Sequence, residues 1–331
     1  MKSILGIGNA LTDILAVLPD DQFLQKYHLP KGSMQHVDME TGDKIWSTLK
    51  QEVGVRYVAG GSAANTITCT AIFGMPSGFI GKIGDDELGH LFKSDQEQYG
   101  VNTLLLKGKN SSGRSMVFIT GANAERTFAV YLGAALELVP EDLKPEYFEG
   151  YDYFHIEGYL VQNQELIRKA VKMAKEAGCI ISIDMASYNV VESNDAFLHN
   201  IVDEYVDIVF ANETEAKVFT KKEPREALDE ISKHCKIAVV KVGKDGSMVK
   251  SGDEYHFIEP WPAATIDATG AGDTYAAGFL YAHSLGMPLK VCGEVGSIIA
   301  AKVVEVIGTK IDIPRWRAAK QEIRELIAQN Q

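Results

Sequence analysis

The chain alternates short apolar runs with amphipathic stretches from Gly60 almost to its end, and this alternation limits the folds it can adopt. The apolar runs cover residues 78–83, 153–156, 180–183, 206–210 and 237–242. Between two of them, residues 164–177 carry apolar side chains at the spacing of a helix with one buried side. Apolar strands separated by helices predict an α/β fold whose mostly parallel central sheet is covered by helices.

Two segments depart from this alternation and predict a separate small sheet. Residues 11–58 mix alternating stretches with polar turns, and residues 113–132 have the pattern of a hairpin with its turn at 121–124. We expect these strands to pair with one another as a lid over the functional site. Because the chain shows no internal repeat, low-complexity tract or long linker, we predict a single domain over residues 1–331 that carries this lid.

The charge of the chain narrows its choice of partners. With a formal net charge of −12, it cannot present a broadly basic face, which argues against a nucleic-acid partner. An anionic nucleotide would therefore need local backbone amides, a cation or single Arg and Lys residues to offset the overall charge.

No segment has the length and uniform apolar composition of a membrane span. The first apolar run is interrupted by Asn9 and Asp13, and the late apolar residues 297–308 include Lys302 and Glu305. The four cysteines, at positions 69, 179, 235 and 292, lie far apart without C-x-x-C spacing, which argues against zinc. We expect reduced thiols, a cytoplasmic location and no membrane partner.

The strongest local signal is the sequence Asp-Ala-Thr-Gly-Ala-Gly-Asp at residues 267–273, just before a predicted helix at 274–285. Gly270, Ala271 and Gly272 would lie at the helix N-terminus, where unpaired N–H groups and the helix dipole attract an anion. Asp273 would hold a carboxylate beside that anion. The alternative is that Asp273 only stabilises the first helical turn, but three small residues in a row are a poor way to begin a helix.

Two further motifs have a structural and a functional interpretation. Residues 59–65 (Ala-Gly-Gly-Ser-Ala-Ala-Asn) form either a glycine turn with Ser62 as N-cap or a close approach to a ligand. Residues 212–215 (Asn-Glu-Thr-Glu) form either a capping box or a site that orders magnesium at the end of a parallel strand. The sequence leaves both choices open.

Asp13 follows Gly6-Ile-Gly8-Asn9 within an apolar stretch, so its carboxylate is either solvated at a strand end or bonded to ligand hydroxyls. The glycine pair alone is weak evidence for an NAD-dependent oxidoreductase, because the third glycine and the following helix are missing.

Arg126, at the start of the second hairpin strand, is either a surface residue or a phosphate contact. The chain has no G-x-S-x-G or Walker motif, which argues against α/β-hydrolases and P-loop enzymes.

Taken together, these stretches resemble the PfkB/ribokinase family, and within it the adenosine-kinase branch. The resemblance covers nearly the whole chain and comprises six stretches in order: residues 8–13, 59–65, 81–85, the Arg126 hairpin, 212–215 and 267–273. It implies a ribokinase-like three-layer α/β sandwich with a mostly parallel central sheet and a small β-sheet lid.

The resemblance also implies roles for matching residues. The implied catalytic group is Asp273 as base, the amides of Gly270, Ala271 and Gly272, and Arg126 from the lid. The implied acceptor site is Asn9, Asp13, Gly60, Gly61 and Asn65, with Tyr159 and Tyr188 as candidates to stack on a base. The implied ATP site is Asn212, Lys241, Gly243, Gly246 and Thr269. Asn212 and Glu215 would hold Mg²⁺ mostly through water, and Asp267 is a candidate ligand for a monovalent cation such as K⁺.

The chain departs from the family pattern at two positions. Lys241 lies where relatives usually carry Thr before the nucleotide-binding glycines, so the ATP contacts there can differ. Ala268 replaces the usual Thr or Ser after Asp267, which puts the cation site in doubt.

The expected activity is ATP-dependent and Mg²⁺-dependent phosphorylation of a nucleoside 5′-hydroxyl, with adenosine as the first candidate and AMP as its product. One alternative is the same chemistry on a sugar such as ribose or fructose. An alternative of a different class is a non-catalytic sensor of nucleotides or sugars. The partners expected are small molecules and ATP, and the sequence leaves a monomer and a homodimer open.

Overall fold

The computed structural model describes residues 2–121 and 125–330 of the chain. Over these residues the strands are β1 (Ile4–Ile7), β2 (Leu11–Val17), β3 (Met34–His36), β4 (Val55–Gly60), β5 (Ser77–Ile83), β6 (Val101–Lys107), β7 (Gly113–Thr120), β8 (Glu125–Tyr131), β9 (Tyr153–Glu157), β10 (Ile180–Asp184), β11 (Ile208–Asn212), β12 (Ile237–Lys241), β13 (Ser247–Ser251) and β14 (Glu254–Ile258). The helices are α1 (Gln22–Lys26), α2 (Met39–Glu52), α3 (Ser62–Ile72), α4 (Glu87–Gln98), α5 (Gln164–Glu176), α6 (Tyr188–Ser193), α7 (Asp195–Glu204), α8 (Glu213–Thr220), α9 (Pro224–Ile231), α10 (Ala271–Ser284), α11 (Leu289–Val303) and α12 (Ile313–Ala328).

The large sheet has the strand order β14-β13-β12-β11-β10-β9-β1-β5-β6. From β12 to β6 every neighbouring pair is parallel, and only β13 and β14 are antiparallel. Because each parallel connection needs a crossover, helices cover both sides of the sheet. The predicted three-layer α/β fold with a mostly parallel central sheet is confirmed.

Two separate hydrophobic clusters fill the two sides of this sheet. Along β11, Val209 packs into the cluster with α5, α7, α8 and α9, whereas Ile208 and Phe210 pack into the cluster with α3, α10, α11 and α12. Successive side chains of a strand point to opposite faces, so a strand that is buried on both faces must be apolar throughout. This explains the near-continuous apolar runs in the sequence.

The two segments outside the α/β alternation form the second, five-stranded sheet, in the order β3-β8-β7-β2-β4. The hairpin strands β7 and β8 are antiparallel, as predicted, and the proposed turn at 121–124 includes residues 122–124, which lie outside the described residues. The buried Arg114 of β7 pairs with Asp43 of α2, and its guanidinium lies 5.1 Å from the centre of the Trp46 ring. These contacts hold α2 against the small sheet.

The carboxyl ends of the parallel strands meet at one edge of the large sheet, which is where ligands of such sheets bind. Glu157, Asp184 and Asn212 end β9, β10 and β11, and Lys241 ends β12. Strand β1 leads into β2 of the small sheet and not into a helix, so the Gly6-x-Gly8 pair lacks the element that a dinucleotide motif requires. Among the described residues, no helix combines the length and hydropathy needed to cross a membrane.

Candidate active site

A cavity of about 870 Å³ lies between this edge of the large sheet and the small sheet. Most of the residues predicted from the sequence line it: Asn9, Asp13, Gly61, Asn65, Tyr159, Asn212, Glu215, Lys241, Gly243, Gly246, Thr269, Gly270, Ala271, Gly272 and Asp273. Gly60, Arg126, Tyr188 and Asp267 are not part of the lining.

Asp273 lies in the first turn of α10, and two side chains of α3 hold its carboxylate. Ser62 Oγ donates to Asp273 Oδ1 at 2.7 Å, and Asn65 Nδ2 donates to Oδ2 at 2.9 Å. Burial raises the pKa of Asp273 to about 6, and the hydrogen bonds from Asn65 and Ser62 limit the rise. The side chain is therefore a fixed carboxylate with a pKa close to neutral, which suits a proton acceptor.

The backbone before Asp273 forms a small turn with free N–H groups. Gly270 is the N-cap of α10 with φ of 76°, in the left-handed region that favours glycine. The N–H groups of Gly270, Gly272 and Asp273 have no hydrogen-bond partner among the described residues. Ala271 differs from the expectation, because its N–H donates to the Ala268 carbonyl at 3.2 Å. The free donors at this helix N-terminus are thus Gly270, Gly272 and Asp273.

A buried ion pair lies against the same turn. Lys241 Nζ donates to Asp184 Oδ2 at 2.7 Å, and both side chains are largely buried. A methyl group on Gly272 would lie 2.9 Å from Lys241 Nζ, so the ammonium group is next to the turn. The pKa of Lys241 is raised, since the negative charges of Asp184 and Glu215 outweigh the effect of its burial. The ammonium group of Lys241 therefore stays protonated beside the free amides, paired with Asp184.

Asn212 and Glu215 form the capping box that was one of the two interpretations. Asn212 N donates to Glu215 Oε2 at 2.8 Å, and Glu215 N donates to Asn212 Oδ1 at 2.9 Å. Burial, followed by the charge of Asp184, raises the pKa of Glu215 to about 7. Both side chains still line the cavity, so the capping role and an outer contact to magnesium-bound water are compatible.

The carboxylates of the cavity that the structure describes allow indirect metal binding only. No group of three His, Cys, Asp or Glu residues in the described part of the chain is arranged to hold a metal directly. Mg²⁺ commonly keeps several waters and binds through one or two carboxylates and substrate phosphates. Asp184 and Glu215 fit that kind of indirect binding.

The predicted monovalent-cation ligand, Asp267, has other partners. Its Oδ1 accepts from Thr269 N at 3.1 Å, its Oδ2 accepts from Gly308 N at 2.7 Å, and the lid residue Arg126 forms an ion pair with it. Arg126 also donates to Thr269 Oγ1 at 2.8 Å. Because Arg126 already neutralises this carboxylate, the residues present do not fit a K⁺ ligand at Asp267.

One end of the cavity, where the acceptor is expected, is built from the β1–β2 connection and the start of α3. Burial raises the pKa of Asp13 to about 7, and the charges of Lys310 and Arg126 limit the rise. Only glycine fits at position 60, because a methyl group on Gly60 would overlap the Asp13 carboxylate. Gly61, and not Ser62, is the N-cap of α3. Ser62 is thereby free to bond Asp273.

An apolar wall adjoins these polar residues. It comes from the lid strands and the two short helical segments Gly133–Glu137 and Gly158–Gln162, and it consists of Phe128, Leu132, Leu136, Leu138, Tyr159 and Leu160. Tyr159 is thus in the cavity, as predicted. Tyr188 lies outside the cavity lining, half exposed at the first residue of α6, which does not support a stacking role.

Sequence reasoning missed three contributors to the site. Glu157 and Asp184 are buried carboxylates at strand ends, and Trp261 lines the cavity, with its backbone N–H donating to Ser297 Oγ at 2.8 Å. The acidic strand ends were a usable signal, since each stands alone at the end of an apolar run. Trp261 belongs to an irregular segment with no motif.

The family, sequence and structure comparisons with known proteins each find kinases. Residues 34–316 match the pfkB family of carbohydrate kinases. Among solved structures, the chain is similar to a probable sugar kinase from Rhizobium etli, with 32% identity, coverage of 97% of this chain and 98% of that chain, and a TM-score of 0.87. It is equally similar to the adenosine kinase from Sinorhizobium meliloti, with 32% identity, coverage of 97% and 99%, and a TM-score of 0.86. A 5-dehydro-2-deoxygluconokinase from Clostridium perfringens is 28% identical over 298 residues, which are 85% of this chain and 88% of that protein.

Proposed function

This chain belongs to the PfkB family of carbohydrate kinases, and we propose that it phosphorylates the 5′-hydroxyl of a nucleoside with ATP as donor. Adenosine is the expected acceptor and AMP the expected product. The kinase activity follows from the family, whereas the choice of acceptor is our proposal.

The observation that carries the proposal is the composition of the acceptor end. Asn9 and Asp13 supply hydrogen-bonding groups for ribose hydroxyls, and the apolar wall beside them suits a flat, neutral base. Burying a base on this wall removes apolar area from water at roughly 25 cal/mol per Å². A free sugar would leave the wall without a partner.

The charges at this end also favour a neutral acceptor. Asp13 and Glu157, which line this end, are both carboxylic acids, and the nearby cations Lys310 and Arg126 are not part of the cavity lining. An acceptor related to gluconate brings a carboxylate, which would meet two acids in a poorly solvated site. The similarity to the Sinorhizobium meliloti adenosine kinase supports the nucleoside, and the similarity to sugar kinases keeps ribose and fructose as the alternative.

In the proposed reaction, Asp273 accepts the proton of the acceptor hydroxyl as its oxygen forms a bond to the γ-phosphorus. The bond between that phosphorus and the β–γ bridging oxygen breaks, and ADP leaves with the electron pair. The free amides of Gly270, Gly272 and Asp273 stabilise the charge on the transferring group, and Lys241 adds a positive charge beside them. Phosphoryl transfer depends mainly on such positioning and charge stabilisation.

Mg²⁺ bound with ATP would neutralise phosphate charge, and Asp184, Asn212 and Glu215 would hold its water ligands. Gly243, Gly246 and Trp261 line the opposite end of the cavity, where the nucleoside part of ATP is expected. We derive no step through K⁺, because Asp267 is paired with Arg126.

A panel of acceptors tests the proposal: adenosine, other nucleosides, ribose, fructose and gluconate, each with ATP and Mg²⁺. We expect adenosine to have the highest kcat/KM and AMP to be the product identified by mass spectrometry. Turnover of a sugar without turnover of any nucleoside would replace the proposal by the sugar-kinase alternative. ATP consumption that no acceptor increases would favour the non-catalytic sensor.

A further inference from the structure

Glu157 is a buried carboxylic acid at the end of β9 that is only 1% exposed, and it has no part in the reaction described above. Its Oε1 accepts from Asn9 Nδ2 at 2.6 Å and from Asn9 N at 3.3 Å. Its Oε2 accepts from Ala63 N at 3.1 Å. Each contact comes from a donor, so both oxygens of Glu157 act as acceptors here, although burial raises the pKa of the side chain to about 7.

These contacts join the two polypeptide segments that form the acceptor site. Asn9 lies between β1 and β2, and Ala63 lies in the first turn of α3, beside the residues Ser62 and Asn65 that hold Asp273. Gly8 completes the arrangement, because a methyl group there would lie 2.6 Å from Glu157 Oε2. Glu157 thus has close contact with both segments.

With both of its oxygens accepting hydrogen bonds, the Glu157 carboxylate determines which way the Asn9 amide points. An amide has a donor end and an acceptor end, and only the donor end can face a carboxylate. With Nδ2 bonded to Glu157, Asn9 Oδ1 remains as the group that can accept a hydrogen bond in the cavity, which Asn9 lines. If the amide rotated, the same position would present a donor.

We propose that Glu157 is a positioning residue for acceptor specificity, because it fixes the Asn9 amide so that Oδ1 accepts a hydrogen bond from an acceptor hydroxyl. This inference rests on the proposed function, and it adds the residue that determines how hydroxyls are recognised. An acceptor must then donate a hydroxyl hydrogen atom at this point. One that lacks this hydroxyl leaves Asn9 Oδ1 without a partner in a site that has little access to water.

The first test is the variant Glu157→Gln, which keeps the size of the side chain. Its amide nitrogen must face either Ala63 N–H or the Asn9 donors Nδ2 and N. No side-chain rotation relieves the clash with Ala63 N–H, whereas rotation of the Asn9 amide relieves the closer of the two clashes at Asn9 and leaves only the long contact with Asn9 N. We expect the KM for adenosine to rise about tenfold or more, with a smaller change in kcat, because a ring hydroxyl loses its partner while Asp273 keeps both of its own. Unchanged KM in a folded Glu157→Gln protein would overturn the inference.

Asp207→Asn is the matched control. Asp207 is also a buried carboxylate that accepts from a backbone amide, Ile181 N at 2.9 Å, but it precedes β11 at the opposite edge of the sheet. We expect Asp207→Asn to lower the Tm and to leave the KM for adenosine as in the wild type. An equal rise of KM in both variants would assign the effect to general loss of stability and reject a specific role for Glu157.

The second test uses 2′-deoxyadenosine and 3′-deoxyadenosine as probes of the hydroxyl contact. In the wild type, we expect one of them to have a kcat/KM about tenfold or more below that of adenosine, and in Glu157→Gln we expect this penalty to shrink. Asn9→Ala provides the same comparison if Glu157→Gln does not fold. If the ratio of kcat/KM between adenosine and the deoxy analogue is the same in Asn9→Ala as in the wild type, Asn9 does not recognise the hydroxyl.

A rescue experiment separates positioning from damage. In the double variant Asn9→Asp with Glu157→Gln, the new amide can donate to the new carboxylate, whose second oxygen again accepts from the substrate. We expect the KM for adenosine to fall below that of Glu157→Gln alone, and no recovery would count against the inference. If no nucleoside or sugar is phosphorylated by the wild type, the proposed function fails and this inference with it. Normal adenosine turnover without any effect of Glu157→Gln removes the inference alone.

Discussion

At the scale of single residues, the site depends on how Asp273 is held. Its carboxylate is removed from bulk water, which raises its pKa, and it is bonded to Ser62 and Asn65, which limits the rise to about 6. A carboxylate with this pKa is ionised at neutral pH and is a stronger base than an exposed one. The two donors also prevent the side chain from rotating away from the free amides.

Asp273→Asn removes the base and keeps the shape of the side chain. We expect kcat for adenosine to fall by ~10²–10⁴, the typical contribution of general-base catalysis, with the KM for adenosine nearly unchanged. Steady-state kinetics with a coupled ADP assay measures both constants. A variant with wild-type kcat would show that another group takes the proton.

Ser62→Ala tests how the pKa of Asp273 is set. The base must be ionised, so kcat/KM of the wild type should fall as the pH decreases through about 6. Because the Ser62 hydrogen bond lowers this pKa, its loss should move the acidic limb of the profile to higher pH. If the acidic limb lies at the same pH in both proteins, the pH profile does not report the ionisation of Asp273.

At the scale of elements, one arginine connects the lid to the turn before α10, which carries the free amides. Arg126 of β8 pairs with Asp267 and Thr269, which precede Gly270. This ion pair is buried, and a phosphate near the free amides would meet a guanidinium already held in the site. The lid and this turn therefore share a charged contact.

Arg126→Ala should weaken the engagement of ATP. We expect the KM for ATP to rise about tenfold, as for the loss of a charge-assisted hydrogen bond, while the KM for adenosine changes little. Initial rates with varied ATP at saturating adenosine give the answer. Unaltered ATP kinetics would exclude Arg126 from the mechanism.

The apolar wall gives a prediction for the acceptor. Phe128→Ala removes an aromatic ring of the wall, so we expect the KM for adenosine to rise by about tenfold or more and the KM for ATP to stay the same. Tyr57→Ala is a matched control, because Tyr57 packs against the other side of the small sheet and does not line the cavity. Equal adenosine KM values in the two variants would argue against a base on this wall.

The elements were more predictable from sequence than the contacts between them. The strands of the large sheet and the lid follow from apolar runs and from breaks in the alternation, both of which are local patterns. Glu157 and Asp184 escaped prediction because their importance depends on β9 and β10 lying next to β1 and β11, and strand order is not a local property. The motif at 267–273 did predict the position of Asp273 at a helix start, although α10 begins at Ala271, three residues earlier than expected.

Some side-chain directions also depend on how the elements are arranged in the fold, so local sequence patterns could not predict them. Tyr188 was a candidate for stacking from its position alone, but it begins α6 and its side chain is half exposed. The Asn212–Glu215 motif forms the capping box, and the same residues line the cavity, so its magnesium interpretation stays a prediction. Arg126 and Asp267 were assigned to phosphate and cation separately, and only the fold shows that they pair.

At the scale of the whole molecule, the site holds several buried acids in a chain of net charge −12. Asp13, Glu157 and Glu215 have pKa values raised to about 7 and Asp273 to about 6, in each case mainly by burial. Below these values the folded protein binds more protons than the unfolded chain does, so these acids favour the folded state at low pH. As the pH rises through about 6 to 7, they ionise and this contribution is lost.

We therefore expect the Tm of the ligand-free protein to decrease from pH 5.5 to pH 7.5 because of these acids. Buried His155 has its pKa lowered to about 4 and acts in the opposite direction, so the clearer test is a comparison of variants. Asp273→Asn should show a smaller decrease in Tm over this range than the wild type, measured by calorimetry. Identical slopes would mean that Asp273 does not titrate with a raised pKa in the folded state.

The most direct test of the account is the structure of the protein with adenosine and a non-hydrolysable ATP analogue. The decisive measurement is the distance from the Asp273 carboxylate to the 5′-hydroxyl oxygen. We predict about 2.6–3.2 Å, with the γ-phosphate against the amides of Gly270 and Gly272. A ribose bound with its 5′-hydroxyl directed away from Asp273, or a base outside the apolar wall, would contradict the account.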